Sequence, residues 1–154
     1  MAFCPSWGLR ASAWYYPTML TPGKLAALRA ALEGEPSVRL AYLFGSAARG
    51  DQGPDSDVDV AVWMAGAVGL VELGALSERL GGAVGGRIDL VDLRSAPPLL
   101  CRQVAAEGQP VLVRDAFLRF DFEMEAVRRY EDTRPLRSLQ QQLLKEMVTR
   151  GRAA

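Results

Sequence analysis

The sequence predicts an α/β (α+β) domain: a small mixed sheet flanked by helices, followed by a C-terminal helical tail. Three observations lead there. Short apolar runs recur at 38–44, 57–63, 88–93 and 110–113. Leucines three and four residues apart precede the first run and lie between the second and third, and beyond residue 115 only a helical rhythm remains. At 154 residues the chain makes one domain, large enough to bury roughly 70% of its extended-chain surface.

Each element has its own signal. Thr21-Pro22 is a helix opening, an N-cap followed by proline at the first helical position, and Leu25, Leu28 and Leu32 follow before Gly34 closes the element. VRLAYLF, 38–44, reads as a buried strand entering Gly45-Ser46. A short helical turn over 46–49 and a polar loop through Gly53-Pro54 lead to a second strand, DVDVAVW, 57–63. Leu70, Leu73, Leu76 and Leu80 make a helix, and GGAVGGR, 81–87, reads as a flexible loop. IDLVDL, 88–93, is a third strand. Pro97-Pro98 opens a helix ended by Gly108, and PVLV, 110–113, is the last strand. In the tail, Phe117, Phe120, Met124 and Val127 form a stripe that packs against the sheet or extends into a partner surface. Pro135 breaks the tail before Leu136, Leu139, Leu143 and Met147 resume the pattern.

Composition excludes several chemistries. There is no histidine, which removes histidine–carboxylate catalysis, histidine metal ligands and every Ser-His-Asp or Cys-His arrangement. Cys4 and Cys101 have no motif spacing, so no zinc site or disulfide framework is expected and a reducing cytoplasm is the default. Eighteen basic residues balance eighteen acidic ones, which argues against a broad nucleic-acid surface. No apolar run reaches the ~20 residues of a membrane span. The first eighteen residues, MAFCPSWGLRASAWYYPT, include an Ala11-Ser12-Ala13 resembling a signal-peptidase site, but no continuous apolar stretch precedes it. They read as an extension ahead of a working start near Met19.

The chemical signal is FGSAARGDQGPDSDVDVAV, 44–62. On a strand Asp57 and Asp59 point to one face, about 7 Å apart. Like charges held there repel, and a bound cation resolves the conflict. The bland alternative is a turn with a capping serine beside a solvated sheet face. Gly-Ser, ten residues, then Asp-x-Asp arises by chance less than about once in several hundred such chains.

This pattern resembles the polymerase-beta-like nucleotidyltransferase superfamily, and GSAARGD with SDVDV resembles its minimal nucleotidyltransferase branch, which pairs with HEPN toxins in prokaryotic toxin–antitoxin systems. RIDLVDL, PPLL, AAEGQPVLV and FEMEAVRRYED extend the resemblance over roughly 25–147. It implies a nucleotidyltransferase core over 19–114 and C-terminal helices over 115–154 that pack on the core and on a partner. It implies that Gly45 and Ser46 hold the triphosphate of ATP and that Asp57 and Asp59 bind two Mg2+ ions, while Arg49 either meets the triphosphate or pairs locally with Asp51. A third carboxylate is needed from a neighbouring strand. Asp89 and Asp92 lie on opposite faces of the third strand, and mid-strand Asp89 is favoured. Trp63 shares the parity of the two aspartates and either flanks the nucleotide or fills the core. Arg87 is at most an accessory cation, because GGAVGGR lacks the GxxxxGK[ST] pattern of a phosphate loop.

The implied reaction is transfer of AMP from ATP to a tyrosine of a HEPN ribonuclease, by in-line attack at the α-phosphate. HEPN ribonucleases carry an Arg…His motif, so a chain without histidine is the antitoxin of the pair. Two alternatives stand beside this: a nucleotidyltransferase acting on a small molecule such as an aminoglycoside, and an antitoxin that acts by stoichiometric binding. Neither direct nucleic-acid binding nor a membrane is expected. A homo-oligomer, or a hetero-oligomer with the toxin, is compatible with the sequence.

Overall fold

The computed structural model describes residues 20–45 and 57–152. The elements run α1 Pro22–Glu33, β1 Val38–Phe44, β2 Val58–Met64, α2 Leu70–Val84, β3 Ile88–Asp92, α3 Pro98–Glu107, β4 Gln109–Val113, α4 Ala116–Asp132 and α5 Arg134–Arg152. Four strands form one mixed sheet in the order β3-β2-β1-β4. β1 is antiparallel to both neighbours, while β2 and β3 are parallel. That parallel pair requires a crossover, and α2 supplies it.

Strand alternation sends side chains to two separate cores. On one face Val38, Leu43, Val58, Val60, Val62 and Leu90 meet Leu28 and Leu32 of α1 and Leu76 and Leu80 of α2. On the other, Leu40, Tyr42, Phe44 and Ala61 meet Cys101 and Val104 of α3 and Phe122 and Ala126 of α4. Both faces of the sheet are therefore covered, including the face that carries Asp59.

Caps set the helix ends. The Thr21 hydroxyl accepts from the Lys24 N–H at 3.4 Å, and Asp115 Oδ1 accepts from the Phe117 and Leu118 N–H groups at 2.9 and 3.1 Å. The GGAVGGR segment is helical as far as Val84, which corrects the expected loop. Leu80 and Val84 are buried one turn apart, and that packing outweighs the weak helix propensity of Gly81 and Gly82. Gly85, at φ +68°, ends the helix in the left-handed conformation. The tail breaks at Thr133, and Pro135 is the second residue of α5 rather than the break.

The aromatic stripe of the tail faces away from the sheet. Phe117 is 85% exposed, and Phe120, Met124 and Val127 are exposed as well. The sheet-facing stripe is Leu118, Phe122 and Ala126, so the expected packing of Phe117, Phe120, Met124 and Val127 against the sheet is corrected. α5 meets the rest of the domain chiefly through α4 and exposes Leu136, Leu139, Leu143 and Met147. Among the described residues no helix is long and apolar enough to cross a membrane.

Tyr42 ties the sheet to α4. Its buried hydroxyl donates to Glu123 Oε1 at 2.9 Å, and Arg119 donates to the same oxygen at 2.8 Å. Burial, and then the Glu123 carboxylate, push the Tyr42 phenol well above its ordinary value. The folded state thus keeps its proton where the unfolded chain loses it. Stability conferred by Tyr42 is complete below about pH 10 and falls as pH rises beyond it. Tyr42→Phe is expected to cost about 1 kcal/mol at neutral pH and to remove that alkaline decline, as urea melts at pH 7 and above pH 10 will show.

Candidate active site

Asp57, Asp59 and Gly45 come together because three strands present neighbouring ends. β2 and β3 both begin at this edge, and antiparallel β1 finishes there. Phe44 pairs with Asp59 and Asp59 pairs with Asp89. Residues in register on adjacent strands share a face and lie about 5 Å apart. Asp57 immediately precedes β2, and the Val58 N–H donates to the Arg87 carbonyl at 3.0 Å. This bond fixes the start of β2 against the start of β3.

Gly45 turns the chain out of β1 at φ +69°, a conformation that favours glycine. The position a Cβ would take at Gly45 overlaps Asp59 Oδ2 and lies 2.9 Å from Asp59 Cγ. The glycine thus makes the space into which the Asp59 carboxylate fits. Ser46 and Arg49, and the turn expected over 46–49, lie outside the described residues, as does the extension over 1–18.

Register separates the two candidates for the third carboxylate. Asp89 stands beside Asp59. Asp92 pairs with Val62 at the far end of β3, where its Oδ1 accepts from the Arg94 N–H at 3.1 Å and its carbonyl accepts from the Ser95 and Ala96 N–H groups. Asp92 therefore shapes the turn into α3. Trp63 lies four residues along β2 from Asp59, with its ring 6.1 Å from that of Phe122; it packs in the α4-side core. Arg87 is nearer the site than its sequence context suggested. Its Nε lies 3.4 Å from Asp57 Oδ1, a proximity created by the β2–β3 register.

The donor set suits a hard dication, since Asp57, Asp59 and Asp89 offer carboxylate oxygens and neither nitrogen nor sulfur. Among the described residues no group of three acidic, thiol or imidazole side chains is placed so that it could hold a metal ion by itself. Mg2+ commonly takes one or two protein carboxylates and completes its shell with water and substrate phosphates. An open edge with adjacent carboxylates fits that mode of binding.

Residues 27–117 match the family model described as polymerase beta, nucleotidyltransferase. The protein adenylyltransferase MntA of Shewanella oneidensis is 42% identical over 74 residues, 48% of this chain and 53% of the relative. The chain thus spans about half the length of the curated relative it matches. A chain from the crystal structure of a toxin–antitoxin with AMP-PNP superposes with a TM-score of 0.68 at 29% identity, covering 80% of this chain and 98% of that one. A chain from the tri-AMPylated Shewanella oneidensis HEPN toxin in complex with MNT antitoxin gives 0.63 at 26% identity, covering 81% and 96%.

Proposed function

Because the chain belongs to the polymerase beta, nucleotidyltransferase family, we propose that it is an antitoxin that transfers AMP from ATP to a tyrosine of a partner HEPN toxin. The observation that carries this reading is the register of Gly45, Asp59 and Asp89 at one sheet edge. The likeness to MntA and to toxin–antitoxin structures, one with AMP-PNP and one with a tri-AMPylated toxin, supports the donor and the acceptor.

Asp57, Asp59 and Asp89 would hold two Mg2+ ions, which when bound supply positive charge against the triphosphate and the attacking oxygen. The backbone after β1, with Gly45 and Ser46, would seat the triphosphate, and Arg49 would neutralise part of its charge. Asp89, at the exposed edge of the three carboxylates, would take the proton of the incoming tyrosine hydroxyl, whose free pKa of about 10 keeps it protonated at neutral pH. The tyrosine oxygen then bonds to the α-phosphorus as the bond to the bridging oxygen breaks. Pyrophosphate leaves with that electron pair.

The core over 19–114 would do this chemistry, and the helices over 115–154 would meet the toxin. The exposed stripes of α4 and α5 suit that role, because monomeric proteins seldom leave more than a few hundred Å2 of contiguous apolar surface open. Leu139→Asp with Leu143→Asp is expected to change folding stability by less than about 0.5 kcal/mol, since both side chains are half exposed. Toxin binding is expected to weaken at least about tenfold. Calorimetric melting and a binding titration check the two halves separately.

Co-expression tests the whole reading. The toxin should arrest growth alone, and wild-type antitoxin should restore growth and add AMP to the toxin's intact mass. Growth restored equally by Asp57→Ala/Asp59→Ala, with an unmodified toxin, would favour inhibition by binding instead.

A further inference from the structure

We propose that Arg87 holds the metal's place: its guanidinium neutralises Asp57 until a divalent cation arrives, and then turns to the phosphate chain of the nucleotide. The inference rests on the assignment of Asp57 to the metal made above.

The glycine-rich segment before β3 exists in a form that delivers this one cation. The Gly85 and Gly86 N–H groups both donate to the Gly81 carbonyl, at 2.9 and 3.1 Å. Gly85 takes the left-handed conformation. At Gly81 a Cβ would stand 2.8 Å from the Gly86 carbonyl oxygen, so the turn folds back against a position that has no side chain. The chain then enters β3 with the Arg87 carbonyl bonded to the Val58 N–H. Arg87 and Asp57 are thereby set side by side at the heads of adjacent strands. The turn presents a guanidinium where a phosphate loop would present backbone amides.

The pairing is suited to exchange. Arg87 is 87% exposed and Asp57 is 41% exposed, so the ion pair is weak and leaving it costs little. A dication bound to Asp57 displaces the guanidinium, and by linkage the guanidinium weakens the dication to the same degree. Once released, Arg87 remains anchored by its backbone beside a site that takes a polyanion, and a planar guanidinium suits phosphate oxygens.

The test is a Mn2+ titration followed by electron paramagnetic resonance on the full chain without nucleotide, using wild type, Arg87→Ala, Arg87→Lys and Asp57→Asn. Arg87→Ala is expected to bind Mn2+ about two- to fivefold more tightly at low salt, and Arg87→Lys close to wild type. The gain should shrink as added salt screens the pair. With Mn2+ bound, AMP-PNP should bind Arg87→Ala several-fold more weakly than wild type. Unchanged or weaker Mn2+ binding by Arg87→Ala would overturn the place-holding role, and unchanged AMP-PNP affinity would overturn the phosphate role. Undiminished Mn2+ binding by Asp57→Asn, or none by wild type, would overturn the assignment of Asp57 itself and this inference with it.

Discussion

Replacing Asp57 and Asp59 together with Asn is expected to lower AMP transfer at least about a thousandfold while the protein stays folded. The amides keep the size of the carboxylates and one acceptor oxygen but lose the charge that draws a dication. Both positions are partly exposed at the start of β2, and Asp59 has Asp89 beside it in register. Removing negative charge there relieves repulsion as well as breaking polar contacts, so stability should move by less than about 1 kcal/mol. Thermal melts measure the stability, and a single-turnover transfer assay measures the rate. A double variant keeping more than a tenth of the wild-type rate would show that these carboxylates do not hold the ions.

Gly45→Ala is the second large effect. A non-glycine residue at φ +69° costs about 1–2 kcal/mol from backbone strain. The new methyl group would occupy the space of the Asp59 carboxylate, so Asp59 must move. A displacement of about 1 Å at a reacting centre costs on the order of a hundredfold in rate. The expected outcome is a destabilised protein whose activity falls far more than its folded fraction. Gly66→Ala is the control, because a Cβ there meets nothing within 4 Å. If Gly45→Ala kept full activity, the close fit between Gly45 and Asp59 would be irrelevant to catalysis.

What could be read before the structure was whatever is local. Asp57 and Asp59 are two residues apart, and strand alternation alone puts them on one side. Thr21-Pro22, Pro97-Pro98 and Gly108 mark helix ends by their own backbone preferences, and those helices begin and end there. Mid-strand position already favoured Asp89 over Asp92, but that Asp89 stands beside Asp59 depends on which strand lies next to β2 and in what register, which no spacing within 88–93 encodes. Arg87 escaped for the same reason, since its partner is thirty residues earlier in the chain.

Helix α4 shows a different limit. Leu118, Phe122 and Ala126 repeat as regularly as Phe117, Phe120, Met124 and Val127. Periodicity finds both stripes but cannot say which one turns to the sheet. Size misleads here, because the smaller Ala126 is buried and the larger Phe117 is exposed. In the glycine-rich segment, propensity argued for a loop and tertiary packing of Leu80 and Val84 overrode it.

The proposed reaction moves the adenylyl group of ATP, with its α-phosphorus, to a tyrosine of the partner. The most direct measurement gives the protein, Mg2+ and the purified toxin either α-labelled or γ-labelled ATP. Label should reach the toxin from the α position only, on a tyrosine, with the γ label recovered as pyrophosphate. Label arriving from the γ position, or a toxin bound and silenced without any label, would rule out AMP transfer as the antitoxin's mode of action.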